Sequence, residues 1–166
     1  MSVTADALRL HFDYTAWATG KLLAAAASLP SEHLTHDFGT ADRSIVGTLA
    51  HTFAADRVWL ARVSGGPIPT FITDADRSIE FLQKEWPPLH GRWKQWTAGL
   101  TDESVQQEIR YRDLKGNEWT QALWKLLLHV VNHGTHHRGQ VSGFLRALGH
   151  TPPPLDLIFY YRELSV

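Results

Sequence analysis

Apolar positions recur at helical spacing through four long stretches of the chain. In the first, from about Thr4 to Ser28, the recurring residues are Leu8, Phe12, Leu22, Leu23 and Ala26. Thr4 offers an N-cap hydroxyl, and Pro30 follows the end. The second runs from about Ser44 to Ser64, is capped by Asp42 or Ser44, and stops at Gly65-Gly66-Pro67. The third runs from about Asp76 to Leu100 and contains Pro87-Pro88, which remove helical donors and should kink or split it. The fourth runs from about Thr120 to Leu148 and ends at Gly149, with Pro152-Pro153-Pro154 beyond. Between the third and fourth, alternating residues from Gln107 to Arg112 and from Glu118 to Thr120 flank a Gly-containing turn, Asp113 to Asn117. That pattern predicts a short hairpin. The tail, Leu155 to Leu164, is apolar and aromatic enough to pack back on the body. The pattern predicts an all-α fold. It is a four-helix bundle, with a short hairpin before the last long helix, spanning residues 1–166 as one domain.

Composition narrows the chemistry. The chain holds 10 histidines among 166 residues and no cysteine. Disulfides, thiolate zinc sites, iron–sulfur clusters and a cysteine nucleophile are therefore excluded, and any metal must be held by His, Asp or Glu. The net charge is −1, so there is no basic excess for phosphate neutralisation, and nucleic acid is not the expected main partner. The longest apolar run, Leu126 to Val131, is interrupted by His129 and falls far short of the ~20 residues of a membrane span. The segment Met1 to Asp6 has neither a basic nor an apolar signal region, so a cytoplasmic location is expected.

The histidines concentrate in Asn132-His133-Gly134-Thr135-His136-His137-Arg138-Gly139-Gln140, with His129 one turn earlier. A helix advances ~100° per residue. With His133 at 0°, the apolar residues Leu126, Val130, Val141, Phe144, Leu145 and Leu148 centre near ~60°. His137 then falls at ~40°, inside that sector, and His133 at its edge. His129 at about −40° and His136 at about −60° point toward solvent or a partner chain, and Arg138 at ~140° lies on the opposite rim. An i, i+4 pair of imidazoles facing the core either finds hydrogen-bond partners or binds a metal. Gly134 takes the Glu position of the His-Glu-x-x-His zinc protease motif, so a general base of that kind is missing. Gly134 itself reads as a close approach of another helix or as space for a ligand.

A metal needs a third ligand. His51 is the only histidine of the second helix, on a stripe with Ser44, Thr48, Ala55, Val58 and Arg62. That stripe fits a cavity wall or an exposed face, and His11 on the first helix competes with it. His33, His36, His90 and His150 fall at loops or helix ends and read as solvated. Asp56, Gln140 and Asn132 are candidates to orient imidazole N–H groups, with helix-surface roles as the alternative. Trp59 and Trp17 are the tryptophans to watch near a pocket.

With these residues the chain resembles the DinB/YfiT-like family of small metal-binding bundles. Asn132 to Gln140 matches the family's last-helix signature. Thr48 to Arg62, Phe12 to Ala18 and Leu155 to Tyr161 resemble its second helix, first helix and tail, in the right order. Thr15 stands where the family often has Asn. The resemblance implies a four-helix bundle holding a divalent transition metal on His51, His133 and His137, with Zn or Ni favoured and Fe, Mn or Cu possible for imidazole ligands. It also implies a homodimer. For some members it implies transfer or isomerisation of small electrophilic substrates with a low-molecular-weight thiol. The functions expected are a metal-dependent thiol transferase, isomerase or hydrolase, or alternatively a non-catalytic, stress-related protein whose metal is structural or which only dimerises. No catalytic residue is assigned.

Overall fold

A computed structural model describes residues 3–165. Met1 and Ser2, the first positions of the segment read for an export signal, and Val166 at the end of the expected domain lie outside it. Helix α1 spans Ala5–Ala27, the short α2 Ser31–Thr35, α3 Ile45–Ser64, α4 Ile79–Ala98, α5 Leu123–Ala147 and α6 Leu157–Leu164. Strands β1 (Glu108–Arg112) and β2 (Glu118–Ala122) form an antiparallel hairpin in which Tyr111 faces Trp119. The four long helices form the bundle. α1 packs on α4 and α5, and α3 packs on the same two, so α1 and α3 stand diagonally.

Local chemistry sets the helix ends. Thr4 accepts from the Ala7 N–H at 3.2 Å, and Ser44 accepts from the Gly47 N–H at 3.1 Å, each satisfying a free first-turn donor. α5 stops where Gly149 turns to a φ of 81°, which lets the His150 N–H reach the Leu145 carbonyl at 2.9 Å. Tail helix α6 docks on α1. The Tyr14 hydroxyl donates to the Leu155 carbonyl at 2.7 Å, and Trp17 Nε1 donates to Glu163 at 2.7 Å.

The core is rich in aromatic contacts. Phe12 stacks on Trp93 at 4.6 Å between α1 and α4, and Phe53 meets Trp86 edge-on at 5.7 Å between α3 and α4. Trp86 and Trp93 are almost completely buried, and truncating either to alanine would cost about 3–5 kcal/mol.

Two expected boundaries move. α5 begins at Leu123, because Thr120 to Ala122 complete strand β2, and the Leu123 N–H is tied to the Gln107 carbonyl at 2.8 Å. Hairpin pairing takes those donors before the helix can. Of the kink or split expected at Pro87-Pro88, the split does not occur, and α4 is one helix across both prolines. Trp86 and Leu89 flank the pair and are both buried, so their packing holds the helix while the prolines face solvent. α4 also starts later than Asp76, after a single 3-10 turn at Asp74–Asp76.

Candidate metal centre

α5 presents His133 and His137 one turn apart, and its neighbour α3 supplies His51. His137 is buried, His133 half-buried and His51 at the surface, while His129 and His136 are exposed. The ring nitrogens of the three converge. Nε2 of His133 lies 3.1 Å from Nε2 of His51 and 3.2 Å from Nε2 of His137. One ligand atom from each residue falls within 4.8 Å of the others. His11 is elsewhere, on the far side of α5.

The far side of each ring shows why these nitrogens are free to bind. Nδ1 of His137 lies 2.6 Å from Oε1 of Gln140. A carbonyl oxygen only accepts, so Nδ1 carries the proton and Nε2 is left with its lone pair. Nδ1 of His51 faces Oδ1 of Asp42 at 3.6 Å, which favours the same tautomer. Two lone pairs thus point at a third imidazole that has at most one proton to offer. Burial first, then the neighbouring histidines, pull the pKa of His133 down to about 4, and burial lowers that of His137. Both rings are neutral at pH ~7, the form that ligates metals. Bonds of 2.0–2.1 Å to a tetrahedral zinc would separate the nitrogens by about 3.3–3.4 Å, close to the spacing here. The residues fit a divalent transition metal.

Asp42 reaches His51 because the preceding loop folds over the start of α3. Arg43 takes a left-handed φ of 63°, and the Phe38 N–H closes the loop on the Arg43 carbonyl at 2.7 Å. The Asp42 carbonyl passes so close to Gly47 that a Cβ there would overlap it. Sequence reading offered Asp42 only as a helix cap, a role that Ser44 fills.

Beside His133 stands an aromatic and cationic wall. The rings of Trp59 and His129 are 4.9 Å apart, and Trp59 and Tyr111 are 5.3 Å apart. The Arg62 guanidinium lies 4.7 Å over Trp59. Arg62 was legible as the cationic end of the His51 stripe, whereas Tyr111 carried no signal in the sequence, because only the hairpin brings it onto α3. Trp17 lines a different pocket, with His90 and Tyr160, at the α1–α6 contact.

Several other expectations are corrected. Asp56 orients no ligand. It is buried and accepts from Trp86 Nε1 at 2.9 Å, with His90 Nε2 at 3.9 Å. Burial pushes the Asp56 carboxyl up to about 7 and holds His90 down to about 4. His90 is therefore a core residue rather than a solvated one. His33 and His150 are half-buried and bonded to each other, Nδ1 to Nε2, at 2.8 Å. Asn132 is exposed on the far side of α5. Arg138, on the opposite rim of the apolar sector, is buried because Tyr14 of α1 covers it. The room at Gly134 is filled by the Arg138 side chain of the same helix, 2.9 Å from where a Cβ would stand.

A model of the DinB family matches residues 1–163. The chain belongs to the DinB family. It is 24% identical over 157 residues to Protein DinB of Bacillus subtilis (strain 168), covering 90% of each chain. It is 30% identical over 167 residues to the uncharacterized protein YrdA of the same organism, covering 92% of this chain and 88% of that one. The crystal structure of a DinB-like protein from Bacillus cereus ATCC 10987 superposes with a TM-score of 0.61 at 21% identity, covering 93% of this chain and 99% of that one. That likeness extends the DinB family assignment to the fold. Among the described residues, no helix is long and apolar enough to cross a membrane.

Proposed function

We propose that this DinB-family protein binds one divalent transition metal through His51, His133 and His137, and activates a small thiol or water toward a small electrophile. The convergence of three imidazole nitrogens, two of their rings backed by Gln140 and Asp42, carries this reading. When bound, the ion supplies Lewis acidity that brings a thiol or water toward its anion near neutral pH. The chain's own residues do the rest. Gln140 and Asp42 hold two rings in the ligating tautomer. His51 lies at the surface, so the centre opens on one side to small molecules. Arg62, Trp59 and Tyr111 line the approach beside His133 and suit a flat or anionic electrophile. His129 meets Trp59 edge-on next to His133, and burial and Arg62 lower its pKa, which keeps it neutral and able to accept a proton. The protein has no cysteine, so the sulfur in a thiol reaction must arrive with the cosubstrate. A cytoplasmic homodimer is part of the same reading.

The test is metal analysis of untagged protein followed by thiol-transfer assays with several cofactor thiols and electrophiles. One ion per chain is expected, lost in His133→Ala, His137→Ala and His51→Ala, with turnover that follows the metal. Metal content unchanged in those variants would remove the site. Full loading with no turnover for any thiol or for water would favour a structural metal.

A further inference from the structure

The opposite face of α5 borders an open cavity of about 820 Å³, flanked by α1 and by the segment from Thr151 to Leu157. Thr135, Arg138, Ser142 and Arg146 line it from α5, roughly 100–180° around the helix from His137. It shares no lining residue with the three-histidine centre. Arg138 is only 4% exposed. Its Nη2 donates to Thr135 Oγ1 at 3.0 Å, and its Cζ lies 5.3 Å over the Tyr14 ring. Its Nε and Nη1 are buried without a hydrogen-bond partner, and it enters no ion pair among the described residues.

A guanidinium cannot shed its proton, so this is a buried positive charge with no ion-pair partner, and Asp56, the carboxyl whose charge acts on it, is one whose ionisation burial disfavours. Thr135 is exposed on the cavity wall, so Nη2, bonded to it, is the guanidinium nitrogen nearest that wall, while Nε and Nη1 are buried behind it and Nη1 packs beside Gly134. Exposed Arg146 adds a second positive charge, against one exposed carboxylate, Asp156. Pro152, Leu155 and Phe159 make the rest of the lining largely apolar. We propose that this cavity binds a small organic carboxylate with an apolar body, its headgroup anchored by Arg138. Nη2 carries a second N–H beyond the one given to Thr135, which can donate to a carboxylate oxygen, and a single buried arginine suits a singly charged headgroup. Positive charge and apolar walls in one cavity select against both inorganic ions and uncharged lipophiles.

Calorimetric titration of the metal-loaded full chain with octanoate tests this. Saturable binding at one site per chain is expected, with n-octanol and inorganic phosphate each at least ~tenfold weaker. Gly139 lines the cavity, and a Cβ there meets open space. Gly139→Leu should therefore fill the site and abolish binding while the fold stays intact. Arg138→Lys should weaken octanoate ~tenfold or more, and Arg146→Gln by a smaller factor. If Arg138→Lys does not fold, the Gly139 and Arg146 variants still decide. Binding in His133→Ala should stay within about twofold of wild type, which separates this site from the metal centre.

The proposal fails if octanol binds as tightly as octanoate, if Gly139→Leu binds normally, or if nothing binds at ~10 mM octanoate. Loss of octanoate binding in His133→Ala would place the anion on the metal instead. Octyl phosphate binding more tightly than octanoate would overturn the carboxylate assignment. A dimer that Gly139→Leu disrupts in sedimentation would make the cavity a contact between copies and overturn the proposal.

Discussion

Gln140 Oε1 lies 2.6 Å from His137 Nδ1, three residues earlier on the same helix. This bond decides which nitrogen of His137 is free. Gln140→Leu should therefore weaken metal binding by about 10–100-fold without unfolding the bundle. Gln140→Glu, which keeps an acceptor, should retain most of the affinity. Chelator competition measures both, with circular dichroism as the control. Equal affinity in wild type and Gln140→Leu would show that the bond does not set the tautomer.

The Asp42 loop crosses α3 where only glycine leaves room. Gly47→Ala should displace the Asp42 carbonyl and destabilise the fold by about 1–3 kcal/mol, despite alanine's better helix propensity. It should also weaken metal binding through His51. Asp42→Asn should weaken metal binding without that loss of stability. Urea unfolding and chelator competition give the two numbers. A Gly47→Ala protein more stable than wild type would mean the loop moves aside freely.

Asp56 makes stability fall as pH rises. Its folded pKa is about 7, against an ordinary 3.8, because burial disfavours the carboxylate. Between those values the folded state keeps a proton that the unfolded state releases, so this group lowers stability by up to about 1.4 kcal/mol per pH unit. Asp56→Asn should gain on wild type from about pH 4 to about pH 7 and then level off. Urea unfolding across that range checks it, and a stability difference independent of pH would sink it.

His90 and His133 act the other way. Each has a folded pKa of about 4 against an ordinary 6.5, chiefly from burial. Below about pH 6.5 the unfolded chain takes up protons that the folded chain refuses, so metal-free protein should lose stability as pH falls toward 4. His90→Gln should flatten part of that decline, and His133→Gln another part. An acid limb identical in wild type and both variants would place the effect elsewhere.

Local sequence pattern determined the four helices, the cap at Thr4, the stop at Gly149 and the hairpin, and left the second helix's cap between Asp42 and Ser44. It also separated inward His133 and His137 from outward His129 and His136, because the angle around one helix depends only on residue number. Whether His51 or His11 joined the pair was not legible that way. A helical wheel describes one helix, and the choice depends on α3 presenting His51 to the histidine face of α5, while α1 meets α5 on another flank. The same limit hid the burial of Arg138 under Tyr14 and of Asp56 against Trp86, since each is covered by a different helix. Asp42 escaped because its position comes from a loop turn and the missing Cβ of Gly47 rather than from any period. Local spacing fixed which residues share a face, and only the packing of faces on one another decided what each face meets.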